Sequence, residues 1–589
     1  MNLRRQPLTP SEGASYRAVT RGGGRKSMRK INWRALFGAF AVMAVVFAAA
    51  ACGDDEEGGA PGGEAGQPRQ GGEITVQYLE FQSFDPHYSS FAQDIGHQTF
   101  VFRGLYKLNK DNQPVPEMAA DMPQISADGK TYTVKIKSGL KWSDGNDLKA
   151  EDFVAGIERT CNPDNAGEYQ YLLSNIVGCD EYYAATDKSQ AEKQALRAKL
   201  GVRAIDDTTI EFKLKEPQPT FTTILSMWMT WPVPIHIVPD GSTPWPEDPT
   251  KLAFNGPFIV SEYVPKERMV FTRNPNYAGQ PAYLDKITFR YIEDNVQSNN
   301  AFRAGELHMA LADATNLKSL QQEFPDKLLS YVTPTTIGLE MQLKKKPLDN
   351  LNVRLALSRA IDRKALAENV LQGSVTPTTT WVPPEVLGLD PKATDIFEEQ
   401  IGFNPEKAKE ALAAAGYPNG QGFPTLSILI RDSAGARATA EFLKEQFKSI
   451  LNINVNIEIV DAPTRSKRFT EGQFELFPGG WHQDYPDPEN WIIGLFDTGG
   501  TLNNYNCSDP EIDDLIKKAR YNTNDQERRE QYKKVNELIS TRICGVAPMY
   551  HSLNHVLIDP RLKGVRENAS SQDRVLAGDW APELWWLSQ

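Results

Sequence analysis

The chain is long, acidic and too large for a single hydrophobic core. Its 589 residues include 64 Lys and Arg against 76 Asp and Glu, a formal net charge of −12. Nine of the basic residues and one acidic residue lie within positions 1–51, so the remainder carries a net charge of −20. This balance argues against a nucleic-acid partner, which requires a basic surface, and a chain of this length predicts two or more lobes.

The first 51 residues predict an export signal. A group of basic residues precedes an uninterrupted run of apolar or small residues at 35–51. The run is shorter than the roughly 20 residues that span a bilayer, and no basic cluster follows it. Because the run ends in AAACG at 49–53, we expect cleavage directly before Cys52. The basic residues are Arg17, Arg21, Arg25, Lys26, Arg29, Lys30 and Arg34.

The residues around Cys52 resemble a bacterial lipobox, in which the cysteine thiol is acylated. Residues 53–72 are almost entirely Gly, Ala, Pro, Gln and acidic residues, which predicts a disordered tether over 52–72. The resemblance implies a lipoprotein anchored through Cys52 to the outer face of the cytoplasmic membrane. Two alternatives stay open: secretory cleavage that leaves Cys52 as a free thiol, and a start at Met28 rather than Met1.

Strand and helix patterns alternate along the rest of the chain. Period-two alternation predicts strands at 74–76, 132–136 and 210–214, each near a turn sequence. Helical periodicity predicts helices at 352–369, 405–415 and 438–450, followed by a strand at 455–459. The helix at 405–415 has the clearest ends, with Asn404 as N-cap, Pro405 in the first turn and Gly416 beyond the last. This order of elements predicts a mixed α/β protein.

Four cysteines remain after Cys52, an even number that suits disulfide formation in an oxidising compartment. We predict bridges between Cys161 and Cys179 and between Cys507 and Cys544, because these pairs close the shortest loops. The sequence alone allows three connectivities. Four buried free thiols are the alternative.

A set of sequence blocks, in this order, resembles the extracytoplasmic solute-binding proteins of ABC importers, family 5, of the oligopeptide-, dipeptide- and nickel-binding type. The most specific block is GKTYTVKIKSGLKWSDGNDLKAEDFVAGIER at 129–159. The other blocks are GGEITV (71–76), SFDP (83–86), NGPF (255–258), RNPNY (273–277), LDKI (284–287), RLALSRAIDRK (354–364), FNPEKAKEALAAAGYP (403–418), and GW (480–481) with DYPDP (484–488).

The resemblance implies a two-lobed α/β fold of the periplasmic-binding-protein type, type II, in the large cluster with an extra subdomain on lobe I. A hinge between the lobes closes over ligand. After the signal peptide (1–51) and tether (52–72), we place lobe I at 73–107, 221–334 and 556–589. The extra subdomain takes 108–220, and lobe II takes 335–555.

The resemblance also implies two charged ligand contacts. In peptide-binding members, an aspartate three residues after a Gly-Trp pair accepts the α-ammonium group of the ligand, and that position is Asp484 here. The alternative is that Asp484 caps a turn. Dipeptide-binding relatives hold the ligand carboxylate with an arginine at a strand end, which corresponds to Arg431, within a residue or so. Its alternative is a surface arginine at the start of a loop.

Aromatic residues near these positions are candidate pocket walls, because such sites are apolar with a few placed polar groups. The candidates are Trp481, Tyr485, Trp491 and Phe84; for each, a place in the core is the alternative. Histidines are scattered, and His551 and His555 lack further ligands, so we expect no metal or other cofactor. Hydrolase motifs are absent from the sequence, so we expect no enzyme activity.

The predicted function is that of a monomeric substrate-binding lipoprotein that captures peptides between two lobes. It would deliver them to the permease and ATPase of an ABC importer. One alternative is the same role for an oligosaccharide, a nickel complex or another amine. The other is a surface receptor or enzyme that has no importer.

Overall fold

The computed structural model describes residues 66–588, apart from 240–243, 313–315, 432–433, 461, 571–572 and 574. The predicted signal peptide, Cys52 and the tether as far as residue 65 lie outside the described residues. Among the residues that are described, no helix is both long and apolar enough to cross a membrane.

The strands follow one another along the described chain. They are β1 (Glu73–Tyr78), β2 (Tyr106–Leu108), β3 (Pro114–Pro116), β4 (Gln124–Ile125), β5 (Thr131–Lys135), β6 (Val202–Asp206), β7 (Thr209–Lys213), β8 (Phe258–Val264), β9 (Arg268–Arg273), β10 (Lys286–Tyr291), β11 (Met309–Leu311), β12 (Leu328–Met341), β13 (Val375–Pro377), β14 (Leu426–Arg431), β15 (Val455–Val460), β16 (Leu476–His482), β17 (Val546–Ile558), β18 (Leu562–Lys563) and β19 (Trp586–Leu587).

Helices are interleaved with these strands. The α-helices are α1 (Ala92–Thr99), α2 (Ala150–Thr160), α3 (Cys179–Tyr183), α4 (Gln190–Arg197), α5 (Phe221–Ile224), α6 (Asn295–Arg303), α7 (Leu317–Glu323), α8 (Leu351–Arg359), α9 (Arg363–Ala365), α10 (Glu398–Ile401), α11 (Pro405–Ala414), α12 (Ala434–Leu451), α13 (Ala462–Thr470), α14 (Pro510–Arg520) and α15 (Asp525–Arg542). Short 3-10 helices span Glu168–Leu173, Trp228–Thr230, Pro249–Lys251, Pro418–Gly420, Pro488–Trp491, Arg566–Asn568 and Pro582–Leu584, and a π turn spans Leu366–Val370.

One large mixed sheet runs through the molecule in the order β15-β14-β16-β12-β17-β11-β1-β10-β9-β8. At one end β14 pairs in parallel with β15 and β16, and at the other β1 pairs in parallel with β10 and β11. The two ends pack against separate apolar cores. The fold is therefore mixed α/β and two-lobed, with lobe I built on β1 and β8–β11 and lobe II on β14–β16.

The long strands β12 and β17 join the lobes. They are antiparallel, and their register shifts between Val332 and Thr336, the point at which the pairing passes from lobe I to lobe II. A register shift bends a strand pair and increases its local twist. The lobe boundaries proposed from the sequence, after 334 and after 555, fall inside these two strands.

A small antiparallel sheet, β4-β5-β7-β6, forms the centre of the proposed subdomain. Two disulfides match the predicted pairing: Cys161–Cys179 has a Cα–Cα distance of 5.3 Å and Cys507–Cys544 one of 5.2 Å. The first bridge joins the end of α2 to the start of α3, and the second joins two loops of lobe II.

Two of the three predicted helices are confirmed. Helix α11 begins after Asn404, whose side chain accepts a hydrogen bond from the Lys407 amide at 2.9 Å, and α12 covers the helix predicted at 438–450. The single helix predicted at 352–369 was wrong, because it breaks after Arg359. The buried Arg363 guanidinium donates to the Ser358 carbonyl at 3.1 Å and to the Pro548 carbonyl at 2.7 Å. These contacts hold Arg363 in place just after the break.

Candidate functional site

The candidate site lies at the carboxyl edge of the lobe II sheet. Arg431 is the last residue of β14, and Asp484 follows the end of β16 by two residues. Both strands run in the same direction. Because the carboxyl ends of parallel strands meet at one edge of a sheet, Arg431 and Asp484 lie on the same edge, where α/β proteins commonly bind ligands.

Asp484 is half-buried and held from two sides. The Tyr169 hydroxyl donates to its Oδ1 atom at 3.1 Å, and the Asn490 amide Nδ2 donates to its Oδ2 atom, also at 3.1 Å. The backbone N–H of Asp484 donates to Asn490 Oδ1 at 2.8 Å. The carboxylate thus contacts its own loop, as the turn-cap alternative expects, and also a tyrosine of the proposed subdomain.

Further contacts join the proposed subdomain to lobe II near Asp484. The Thr220 hydroxyl donates to Glu489 Oε2 at 2.7 Å. In addition, Arg520 of lobe II donates from Nη2 to the hydroxyl of Ser174 in the proposed subdomain at 3.1 Å. Together with the bond between Tyr169 and Asp484, these contacts draw the two parts of the chain together beside the site.

A buried charge cluster supports the segment that follows Asp484. Arg528 donates two hydrogen bonds to Asp487, at 2.8 and 2.6 Å, and one to Glu489 at 3.1 Å. Arg520 lies 3.7 Å from Glu489. Burial raises the pKa of the Glu489 carboxyl, although the two arginines act in the opposite direction. Two cations and two anions therefore balance inside the protein, as buried charges require.

A cavity of about 90 Å³ lies beside Asp484. Its walls include Met227, Trp228, Trp231 and Ile95, so most of its surface is apolar. Trp228 also packs edge-on against Tyr169, with ring centroids 4.7 Å apart.

Two cationic side chains also line this cavity, Arg103 and Lys107. Arg103 Nη2 donates to Glu583 at 2.8 Å, and Lys107 Nζ lies 2.9 Å from Glu117. These ion pairs neutralise the cations. Asp484 thus shares a mainly apolar cavity with two tryptophans, Trp228 and Trp231.

The aromatic candidates occupy different environments. Trp481 is half-buried, and its indole N–H donates to Asn490 Oδ1 at 3.2 Å. Tyr485 is 1% exposed, Trp491 0% and Phe84 3%. Trp491 packs against Trp381 with ring centroids 6.2 Å apart, and Phe84 packs within the lobe I core.

Tyr485, Trp491 and Phe84 are therefore buried among apolar side chains, as the core alternative expects, because large aromatic rings supply much of the apolar area that a core needs. A ligand contact from each of them stays a prediction. Trp481 keeps its predicted place beside the site, and a ligand contact from it stays a prediction.

Sequence reasoning missed the partners of Asp484 and of the segment that follows it. Tyr169 precedes it by more than three hundred residues, and Thr220 belongs to a segment without a distinguishing pattern. Asn490 is closer, six residues after Asp484, but its role depends on how the loop folds. The contacts of Tyr169 and Thr220 form only when the proposed subdomain packs against lobe II.

Two histidines of β17, His551 and His555, pair with hydroxyl groups on β12. His551 Nδ1 lies 2.9 Å from Thr336 Oγ1, and His555 Nδ1 lies 2.7 Å from Ser330 Oγ. Burial lowers the pKa of His551 to about 3, so this imidazole is neutral at physiological pH. A search of the described residues finds no group of three His, Cys, Asp or Glu side chains that could hold a metal ion.

Known proteins resemble this chain over most of its length. It is 27% identical over 465 residues to the probable deoxycholate-binding periplasmic protein YgiS of Escherichia coli. The aligned region covers 79% of this chain and 85% of YgiS. It is 27% identical over 499 residues to the E. coli periplasmic oligopeptide-binding protein OppA, covering 82% of this chain and 88% of OppA.

A solved structure shows the same fold. The periplasmic oligopeptide-binding protein OppAIV of Borrelia burgdorferi superposes with a TM-score of 0.71 at 27% identity, over 86% of this chain and 99% of that one. The profile of bacterial extracellular solute-binding proteins, family 5 (middle region), matches residues 113–503. That match covers residues 113–220 of the proposed subdomain, the register shift in β12, and Asp484. The chain therefore belongs to the bacterial extracellular solute-binding proteins of family 5.

Proposed function

We propose that this protein is the extracytoplasmic peptide receptor of an ABC importer. It binds a peptide between its lobes and presents the closed form to a membrane permease. The observation that carries the proposal is Asp484, a half-buried carboxylate beside a cavity with tryptophan walls. A family whose members bind solutes outside the cell supplies the context.

Asp484 is suited to the α-ammonium group of a peptide. In a site shielded from water, a carboxylate and an ammonium form a charge-assisted hydrogen bond, which is shorter and stronger than a neutral one. The Tyr169 hydroxyl holds the Oδ1 atom in the structure. A ligand ammonium would replace the tyrosine hydroxyl as donor to this oxygen, or bind the oxygen beside it. The exchange is favourable because the ammonium carries a positive charge and the hydroxyl is neutral.

Arg431 is the candidate for the ligand carboxylate. It lies on the same sheet edge as Asp484, and a guanidinium can donate two parallel hydrogen bonds to a carboxylate. An acid and a base on one edge would orient a peptide from its amino to its carboxyl end. Trp481 would contact the peptide near its amino terminus.

The proposal includes the location of the receptor. An acyl group on Cys52, followed by the tether, would keep a monomeric receptor close to its permease. An acylated cysteine and a flexible spacer together leave the folded body free to turn. Mass spectrometry of the mature amino terminus tests this part, since a free thiol on Cys52 would contradict it and leave the solute-binding role intact.

Asp484→Asn tests the peptide site. Removing one partner of a buried charged hydrogen bond costs about 2–5 kcal/mol, so we expect the affinity for peptides with free amino termini to fall at least thirtyfold. Calorimetric titration with di- to pentapeptide pools measures the change. Asp514→Asn is the matched control, because Asp514 is exposed and pairs with Lys518 on the surface of α14.

Two outcomes would contradict the proposal. One is that no peptide pool stabilises the wild-type protein in thermal-shift measurements, whereas a bound ligand at 100 times its Kd adds about 2.7 kcal/mol. The other is an Asp484→Asn variant that binds peptides as tightly as the control does.

A bile acid is the second candidate ligand. The E. coli relative YgiS is described as a probable deoxycholate-binding protein, and the tryptophan walls beside Asp484 would suit an apolar ring system. A bile acid carries a carboxylate, which Asp484 would repel. Two results would favour this candidate over a peptide: deoxycholate displaces bound peptide, and the affinity of the protein for deoxycholate rises in Asp484→Asn.

A further inference from the structure

We infer that Asn490 is a positioning residue of the peptide site: it holds the carboxylate of Asp484 and the indole of Trp481 in one fixed arrangement. The inference rests on the proposed function, because it concerns how Asp484, the carboxylate that would accept the ligand ammonium, is oriented. Asn490 lies in the short helix Pro488–Trp491 and is 3% exposed.

The Asn490 side chain joins three groups. Its Oδ1 atom accepts the backbone N–H of Asp484 at 2.8 Å and the indole N–H of Trp481 at 3.2 Å. Its Nδ2 atom donates to Asp484 Oδ2 at 3.1 Å. One amide thus fixes the backbone and the side chain of Asp484 and also the ring that precedes it.

Only an amide can make this set of bonds at this size. A carboxamide has an oxygen that accepts and a nitrogen that donates, whereas a carboxylate only accepts and an aliphatic side chain does neither. Leucine has nearly the same shape as asparagine. In its place it would leave the Trp481 indole N–H and the Asp484 backbone N–H without this acceptor, and the Asp484 Oδ2 atom would lose the donor at Asn490.

The helix that carries Asn490 is itself held firmly. The Asp487 side chain accepts the Glu489 N–H at 2.8 Å, and the Asn490 N–H donates to the Asp487 carbonyl at 3.1 Å. Arg528 binds both acidic side chains, and Thr220 binds Glu489 from the proposed subdomain. Asn490 therefore projects from a rigid platform, which is the condition under which a supporting residue can orient another.

The first experiment compares Asn490→Leu with Asn536→Leu. Asn536 is a suitable control, because its buried amide accepts from the Val382 N–H at 2.9 Å and donates to the Thr380 hydroxyl at 2.8 Å, two groups outside the Asp484 loop. The probes are tetrapeptide pools with free or acetylated amino termini. We expect Asn490→Leu to weaken the free pool about tenfold and to reduce the preference for free over acetylated peptides.

A purely structural role would give a different pattern. Asn490→Leu would then lower the affinity for both pools by the same factor, or Asn536→Leu would reduce the preference for free over acetylated peptides as much as Asn490→Leu does. Either result overturns the inference. A double-mutant cycle sharpens the test. In the Asp484→Asn background, Asn490→Leu should cost little more affinity, because its effect passes through Asp484. Fully additive losses contradict the inference.

A measurement without ligand separates this inference from the proposed function. Hydrogen exchange followed by NMR should show faster exchange of the Asp484 amide and the Trp481 indole N–H in Asn490→Leu than in the wild type. Unchanged exchange overturns the positioning role. Faster exchange supports it even if the wild type binds no peptide, a result that would remove only the proposed function. If Asn490→Leu does not fold, Asn490→Ser serves for the same measurements.

Discussion

Asp85→Asn should destabilise the protein far more than the loss of one exposed charge would. Asp85 belongs to the SFDP segment of lobe I, and it pairs with Arg159 at the end of α2 in the proposed subdomain. Arg159 Nη2 and Nε donate to Asp85 Oδ2 at 2.5 and 3.2 Å. Both side chains are buried, and the guanidinium lies 5.4 Å from the ring centroid of Trp245.

The magnitude follows from the burial of both partners. Removing one member of a buried ion pair leaves the other charge unpaired, which costs about 3–5 kcal/mol. Asparagine keeps the shape of aspartate, so packing contributes little to the loss. We therefore expect Asp85→Asn to lower the free energy of unfolding by about 3–5 kcal/mol at pH 7.

The pH dependence of stability gives an independent estimate. Burial alone would raise the pKa of Asp85, but Arg159 and His87 lower it from 3.8 to about 2. A carboxyl whose pKa is lower in the folded state stabilises the protein above its unfolded value of 3.8. At 1.36 kcal/mol per pKa unit this contribution is about 2.4 kcal/mol, and it is lost as the pH falls from about 4 to 2.

Urea unfolding at pH 7 and at acidic pH checks both estimates. Glu216→Gln is the control, since Glu216 forms an exposed pair with Lys130 at 3.0 Å and should cost less than about 1 kcal/mol. If Asp85→Asn and Glu216→Gln lose the same stability at pH 7, or if Asp85→Asn loses less than 1 kcal/mol, the buried pair does not act as described.

The remaining predictions concern a buried acid and a disulfide in lobe II. Burial raises the pKa of Glu340 to about 8; because the folded state then holds its proton more tightly, stability should fall as the pH rises from about 4.5 to 8. Glu340→Gln should remove this fall, which is at most about 5 kcal/mol. Urea unfolding at pH 5 and pH 9 measures it. If the free energies of unfolding of Glu340→Gln and the wild type differ by the same amount at both pH values, the prediction is contradicted. Replacing Cys507 and Cys544 together by alanine should lower stability by about 2–5 kcal/mol. Calorimetry measures the change, and an unaltered melting temperature would refute it.

Sequence patterns predicted the local structure where one short segment decides it. The ends of α11 follow from Asn404, Pro405 and Gly416, since capping and left-handed backbone depend on neighbouring residues alone. The Cys161–Cys179 bridge likewise joins residues close in sequence. The helix predicted at 352–369 is interrupted at 360–362, where Asp362 caps a new turn and the Pro548 carbonyl, distant in the sequence, binds Arg363.

For the candidate site too, some features follow from the sequence and others only from the tertiary structure. The sequence by itself determined that the chain is an acidic α/β protein that resembles a solute-binding family, and that resemblance identified Asp484 and Arg431 as candidates. Only the tertiary structure decided that Tyr485, Trp491 and Phe84 belong to the core. It also decided that Tyr169, Thr220 and Asn490 surround the Asp484 segment. The physical reason is that periodicity and caps act over a few residues, whereas burial and hydrogen-bond partners depend on which distant segments pack together.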